Sequence, residues 1–241
     1  MQLDLALPRT LTLSVGSRAF KLIVRPIMAA DWHKYFAGIV STSTTNKNGD
    51  QESSFDSRGA RLALLESVLT DAIGYTPEGA SITSIDGWRS KLPIAHRIAA
   101  ADMLVDVRRS ALAEDDLPEL GTEVVKLDAM WSGNEAGEMQ RYSGLTHIFR
   151  SPASDHQKRY SRAQSRSVVV GGSRTGETRW LGSQPTMIEI YDELIAEVRG
   201  YAFNGSAFTT SADLTRNMDA YHKVAAVSAL FEPVQVDAEA A

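Results

Sequence analysis

The strongest constraint on this chain is an internal correspondence at a fixed offset of 126 residues. LALLESVLTDAIGY (Leu62 to Tyr75) lies over IEIYDELIAEVRGY (Ile188 to Tyr201). Apolar class is kept at Leu62/Ile188, Leu64/Ile190, Leu65/Tyr191, Val68/Leu194 and Leu69/Ile195. Acid is kept at Glu66/Asp192 and Asp71/Glu197, and both segments finish in Gly-Tyr. At the same offset His96-Arg97-Ile98-Ala99-Ala100 lies over His222-Lys223-Val224-Ala225-Ala226. Upstream, with a small indel, RPIMAADWHKYF (Arg25 to Phe36) matches RSPASDHQKRY (Arg150 to Tyr160). Three blocks in one order read as a tandem duplication. By length alone, 241 residues allow one large domain or two small ones. The offset divides them into a first repeat (1–112), an acidic linker (113–139), a second repeat (140–232) and an acidic, alanine-rich tail (233–241).

Each repeat can be read as a physical unit. Leu11, Leu13 and Val15 alternate, as do Phe20, Leu22 and Val24 after Gly16-Ser17, which predicts a β-hairpin with a two-residue turn. Arg25-Pro26 ends the second strand, and Asp31 is placed to N-cap a helix through Tyr35 and Phe36. In the second repeat, Leu145 to Phe149 is the matching strand, Val124 to Leu127 its partner, and Ser154 or Asp155 the matching cap. The polar stretches 41–54 and 165–179, the latter holding Gly171 to Gly176, read as exposed loops. Apolar residues at 62, 65, 69 and 73 predict a helix closed by Gly74, with Gly200 its counterpart. Final helices carry matching stripes: Trp88, Leu92, Ala95 and Ala99 against Leu214, Met218, Tyr221 and Ala225. The expected fold class is α+β, mainly helical: two similar repeats, each a small β-hairpin or strand pair packed on about three helices.

Chemistry is constrained mainly by what is missing from the sequence. There is no cysteine, hence no disulfide, thiolate metal site or cysteine nucleophile. His96 and His222 occupy equivalent positions, but the residues four further on are Ala100 and Ala226, so neither begins a two-ligand helix motif. They read as structural histidines at the edge of a packing face. Glu66 and Asp192 read as solvated helix acids. Gly171-Gly172-Ser173-Arg174-Thr175-Gly176 misses the spacing of a nucleophile elbow by one residue. No catalytic, cofactor or metal residue is assigned, and a non-enzymatic protein is expected. No apolar run is long enough for a membrane span, and the opening MQLDLALPRTL lacks a secretory pattern, which predicts a cytoplasmic protein.

One stretch is strongly basic: Arg141, Arg150, Lys158, Arg159, Arg162, Arg166 and Arg174 stand against only Asp155 and Glu177. With a net charge of −5 overall, an acidic protein partner fits this face better than nucleic acid. The candidate protein-binding residues are therefore Arg159, Arg162 and Arg166, with Trp32, Tyr35, Phe36 and Trp88 as exposed aromatic anchors.

The run LTLSVGSRAFKLIVRPIMAADW (Leu11 to Trp32), echoed by LTHIFRSPASDH (Leu145 to His156), resembles the opening of bacteriophage tail assembly chaperones. About 25 residues per repeat carry the resemblance. It implies a β-hairpin, an Arg-Pro element and an acidic helix start. It also implies action in the host cytoplasm, binding of the tape-measure protein and recruitment of tail-tube subunits. The alternative is a structural virion component, a head–tail joining or tail protein, whose duplication gives pseudo-symmetry within a ring or homo-oligomer.

Overall fold

A computed structural model describes residues 2–45, 51–76, 81–113, 116, 118–132, 139–170, 177–180 and 182–232. The chain opens with β1 (Leu3–Asp4), β2 (Arg9–Val15), β3 (Arg18–Val24) and α1 (Ala29–Gly38). Next come β4 (Val40–Thr45), β5 (Gln51–Asp56), α2 (Arg58–Val68), β6 (Leu69–Ile73), α3 (Trp88–Lys91), α4 (Ile94–Leu104) and β7 (Val107–Ser110). β8 (Thr122–Ser132), β9 (Met139–Arg150), α5 (Ser154–Gln164), β10 (Ser167–Val170) and β11 (Glu177–Trp180) follow. The chain then forms α6 (Gln184–Leu194), β12 (Ile195–Arg199), β13 (Tyr201–Phe203), β14 (Ser206–Ala207), α7 (Ser211–Asn217) and α8 (Ala220–Phe231).

The strands correct the expected architecture. The protein is α+β, but it is not mainly helical and is not built as two similar helical repeats. Among the described residues four sheets run β2-β3-β6, β12-β9-β8-β7, β10-β11-β4-β5 and β1-β13-β14. Three of these draw strands from both halves of the chain: β11 pairs with β4, β7 with β8, and β1 with β13. What does recur at the 126-residue offset is a set of individual contacts. Tyr75 Oη meets His96 Nδ1 at 2.9 Å, and Tyr201 Oη meets His222 Nδ1 at 2.8 Å. Arg97 pairs with Glu66, and Lys223 with Asp192. Glu66 and Asp192 are therefore ion-paired rather than simply solvated.

The expected first hairpin is present, Leu11 and Leu13 facing inward, with Val15 opposite Arg18 across Gly16-Ser17. Gly16 has φ +61°, the positive value that this turn needs at its first position. The polar stretches expected as loops instead contribute strands β4, β5, β10 and β11, while Gly171 to Gly176 lie outside the described residues. The stretch assigned to the linker contains all of β8, whose Val125, Leu127 and Ala129 face the core. The tail, 233–241, lies outside the described residues.

The expected helix through Ile73 stops at Val68, and the chain passes directly into strand β6. Val68, Thr70 and Ile73 are β-branched and favour the strand. β6 then pairs with β3, and Arg89 donates twice to the Leu69 carbonyl. Gly74 closes a strand rather than a helix. Its φ is +95°, and a Cβ there would sit 2.7 Å from the Ala19 carbonyl oxygen. Gly74→Ala should therefore cost more than the about 1–3 kcal/mol of an unfavourable backbone conformation. Gly16→Ala, with open space around it, should cost only the backbone share. Urea unfolding midpoints of the two variants check that order.

Asp31 is the third residue of α1, not its N-cap. Its carboxylate accepts from the Met28 N–H at 2.9 Å, which is the returning half of a capping box. Arg25 grips the same carboxylate with two bonds, at 2.7 and 2.9 Å, and donates to the Ser67 carbonyl at the end of α2. The Arg-Pro element thus ties the start of α1 to the end of α2. In α5 the N-cap is Ala153, and His156 takes the place of Asp31 by accepting from the Ala153 N–H.

Two apolar cores result. One lies around Leu22, Trp32, Leu65 and Leu104, and the other around Leu127, Phe149, Ile190 and Tyr191. Several apolar positions of the hairpin, the matched blocks and the stripes are only partly buried, among them Phe20, Leu62, Ile98, Ile188 and Ala225, and Ala99 is exposed. Pro93 splits the expected Trp88–Ala99 helix into α3 and α4. The other expected stripe divides at Met218 and Asp219, between α7 and α8.

Candidate functional site: a groove along helix α1

Helix α1 meets the second half of the chain through its aromatic rings. Tyr221 of α8 stacks on Trp32 with ring centres 5.1 Å apart and lies parallel to Phe36 at 6.5 Å. Beside this aromatic stack the seam stays open. A groove of about 790 Å³ runs between α1 and α6 and ends against α7 and the start of α8. Trp32, Phe36, Ile188 and Met218 form its apolar floor, while Ala30, Ala37 and Pro185 stand exposed at its rim. A smaller hollow of about 230 Å³ continues past Trp32, Met218 and Arg216 towards Met28, which is 61% exposed. A third, of about 390 Å³, opens on the far side of Phe36 and Gln184. Where it meets the main groove, Gln184 Oε1 is buried without a hydrogen-bond partner among the described residues.

Polar groups around the groove are unevenly engaged. Lys223 donates to Asp192 and to the Thr215 carbonyl, both at 2.6 Å, and lies 5.5 Å from the Tyr191 ring centre. Burial pushes the Asp192 carboxyl up, and Lys223 opposes that shift. Glu189 is met by Arg159 from α5 at 3.4 Å. Lys34 and Arg216 are both exposed and form no ion pair among the described residues.

Beneath the groove lies a fully buried polar network. Arg9 and Asp219 pair at 3.3 Å with side chains about 5% exposed. Burial lowers the Arg9 guanidinium to about 9 and raises the Asp219 carboxyl, each partner pulling back against that shift. Asp219 also caps α8 by accepting from the Tyr221 and His222 N–H groups. The Trp32 indole N–H faces Asp219 without closing a bond of normal geometry, so its attraction there is electrostatic.

A second chain of bonds adjoins it. Tyr191 Oη meets His147 Nδ1 at 3.0 Å, His147 Nε2 meets Tyr201 Oη at 2.9 Å, and Tyr201 Oη meets His222 Nδ1 at 2.8 Å. With neutral imidazoles all three bonds are satisfied in one continuous direction, whichever end donates first. An extra proton would break that order. Burial pushes both histidines down to about 3, helped by His222 in the case of His147 and by Arg9 in the case of His222. Both buried tyrosines are pushed well above their ordinary value.

The predicted binding residues are only partly assembled here. Trp32, Tyr35, Phe36 and Trp88 are buried, not exposed, at 1%, 4%, 7% and 6%. Packing against Tyr221, Leu65 and their neighbours removes the rings from water, and only faces of Trp32 and Phe36 reach the groove. Tyr35 lines the third hollow, and Trp88 lies in the first core under Arg89. Arg159 is held by Glu193 and Glu189 on the side of α6 facing α5. Arg162 and Arg166 are exposed on or just beyond α5 and away from the groove. Of the other basic residues, Arg141 pairs with Asp128 and Arg150 donates to the Glu193 carbonyl, while Arg174 lies outside the described residues.

Sequence reasoning missed the groove-forming Lys34, Pro185, Ile188 and Arg216. It also missed Arg9, His147 and Asp219. His147 did leave a signal, as the one polar residue on the inward face Leu145-His147-Phe149 of an alternating strand. No protein-family model matches the chain, and neither a curated protein nor a solved structure matches it. Among the described residues, no helix is long and apolar enough to cross a membrane.

Proposed function

We propose that this protein is a non-enzymatic assembly factor of the bacteriophage tail-chaperone kind, which acts in the host cytoplasm by binding another tail protein such as the tape measure. The observation that carries this reading is the apolar groove between α1 and α6, lined by Phe36, Ile188 and Met218. Its volume lies in the range of binding sites rather than packing defects. An apolar concavity flanked by helices is suited to a helix from a partner, which lays its own apolar side chains against the floor. The buried histidines support this scaffold without lining the groove or the hollows beside it, so binding suits the arrangement better than chemistry.

Co-expression with the tape-measure and tail-tube proteins of the same phage tests the reading. The wild-type chain should co-purify with one of them. Ile188→Gln and Ala37→Gln should each lower recovery of the partner at least tenfold while leaving the far-ultraviolet circular dichroism unchanged. Ala37 is exposed and glutamine is a good helix former, so that variant keeps the fold. Clean co-expression without a complex, or full recovery with both variants, would overturn the proposal.

A further inference from the structure

We infer that the groove's occupant is an amphipathic helix of the partner protein that carries carboxylates along its flank; this rests on the protein-binding reading above. The groove is lined by α1, α6, α7, α8 and their connections, with no strand edge among the described lining residues. Helix backbones satisfy their own hydrogen bonds, so these walls offer an incoming extended chain no ladder of donors and acceptors. An occupant that leaves water here must bring its backbone already paired, which is the property of a helix.

Charge selects the kind of helix. The two acids near the groove are engaged, Asp192 by Lys223 and Glu189 by Arg159. The cations Lys34 on α1 and Arg216 on α7 line the groove and form no ion pair among the described residues. The groove mouth is therefore cationic on a protein whose net charge is −5. Carboxylates beside the partner's apolar stripe would meet Lys34 and Arg216, and a basic helix would be repelled.

Three fluorescein-labelled peptides of one length and one leucine pattern test this, their polar positions filled by Glu, Gln or Lys. Fluorescence anisotropy on the full chain should show the Glu peptide binding at least tenfold tighter than the Gln peptide in dilute buffer. That preference should shrink in molar salt, where the screening length falls to about 3 Å. The double variant Lys34→Glu/Arg216→Glu should reverse the order in favour of the Lys peptide. If that pair disturbs folding, Lys34→Gln/Arg216→Gln should abolish the Glu preference.

Equal binding of the Glu and Gln peptides, tighter binding of the Lys peptide, or no binding at all would overturn the inference. So would a preference untouched by the charge variants. Two further results would also overturn it by naming another occupant. One is a concentration-dependent dimer dissolved by Lys34→Glu/Arg216→Glu. The other is Glu-peptide binding that occurs only after removal of residues 233–241. The protein-binding reading stands or falls separately, on whether Ile188→Gln and Ala37→Gln lose the co-expressed partner.

Discussion

Lowering the pH from 7 to 4.5 should remove about 5 kcal/mol of folding stability through His147 and His222 alone. In the unfolded chain each imidazole takes up a proton near its ordinary value of 6.5, whereas in the fold each is held down at about 3. Between those values the unfolded state binds more protons, so stability is complete above about pH 6.5 and falls as pH drops towards 3. Each histidine contributes about 1.4 kcal/mol per pH unit, and whole domains are commonly stable by only about 5–15 kcal/mol. Asp219 and Asp192 have raised values and pull the other way as they gain protons. The cleanest measurement is therefore the slope of unfolding free energy between pH 6.5 and 5, from urea titrations at constant ionic strength. A His147→Gln/His222→Gln variant should be less stable at pH 7.5 but nearly flat across that window. A wild-type slope no steeper than that of the variant would exclude the buried imidazoles as its source.

Arg9→Met should destabilise the protein by about 3–5 kcal/mol, the usual cost of leaving one member of a buried ion pair alone. The arginine is 4% exposed, at the first position of β2, and Asp219 begins α8 some 210 residues later. Removing the guanidinium strands the carboxylate that caps α8, on the wall of the hollow that continues the groove. Arg9→Met/Asp219→Asn should recover part of the loss, because asparagine can still accept from the Tyr221 and His222 N–H groups but carries no charge to bury. A double-mutant cycle in urea measures the coupling. An Arg9→Met loss below about 1 kcal/mol would show that the pair does not hold the two halves together.

Local features were the most legible in the sequence. The Leu11–Val24 hairpin, with its glycine-first turn, could be read directly because alternation and turn chemistry act over a few residues. The recurring Tyr–His and acid–base contacts were foreshadowed by paired positions at the 126-residue offset. The sheet between the halves was hidden, because β4 and β11 are polar segments without an apolar alternation. What stabilises their pairing lies 133 residues away along the chain in the register Thr44 to Glu177, not in either segment. β6 was misread because Leu69 and Ile73 fit a helical spacing as well as a strand, and only pairing with β3 decides. The groove was hidden for the same reason: its walls, α1 and α6, are separated by more than half of the sequence. Burial of Trp32, Tyr35 and Phe36 followed from Tyr221, which the duplication sets in the other repeat.

The parallel pairing of β1 with β13, Leu3 opposite Tyr201, bears on how the protein is made. A ribosome adding roughly 5–20 residues per second needs roughly 10–40 s to travel from one of these strands to the other. Throughout that interval Leu3 and Leu5, both buried in the finished fold, lack the strand whose backbone they pair with. The first sheet, β2-β3-β6, can close early because all three of its strands lie before residue 74. The emerging chain thus completes one sheet quickly, then carries β1 without its partner strand until synthesis passes Tyr201. Factors that shield nascent chains would find a target in the unpaired β1.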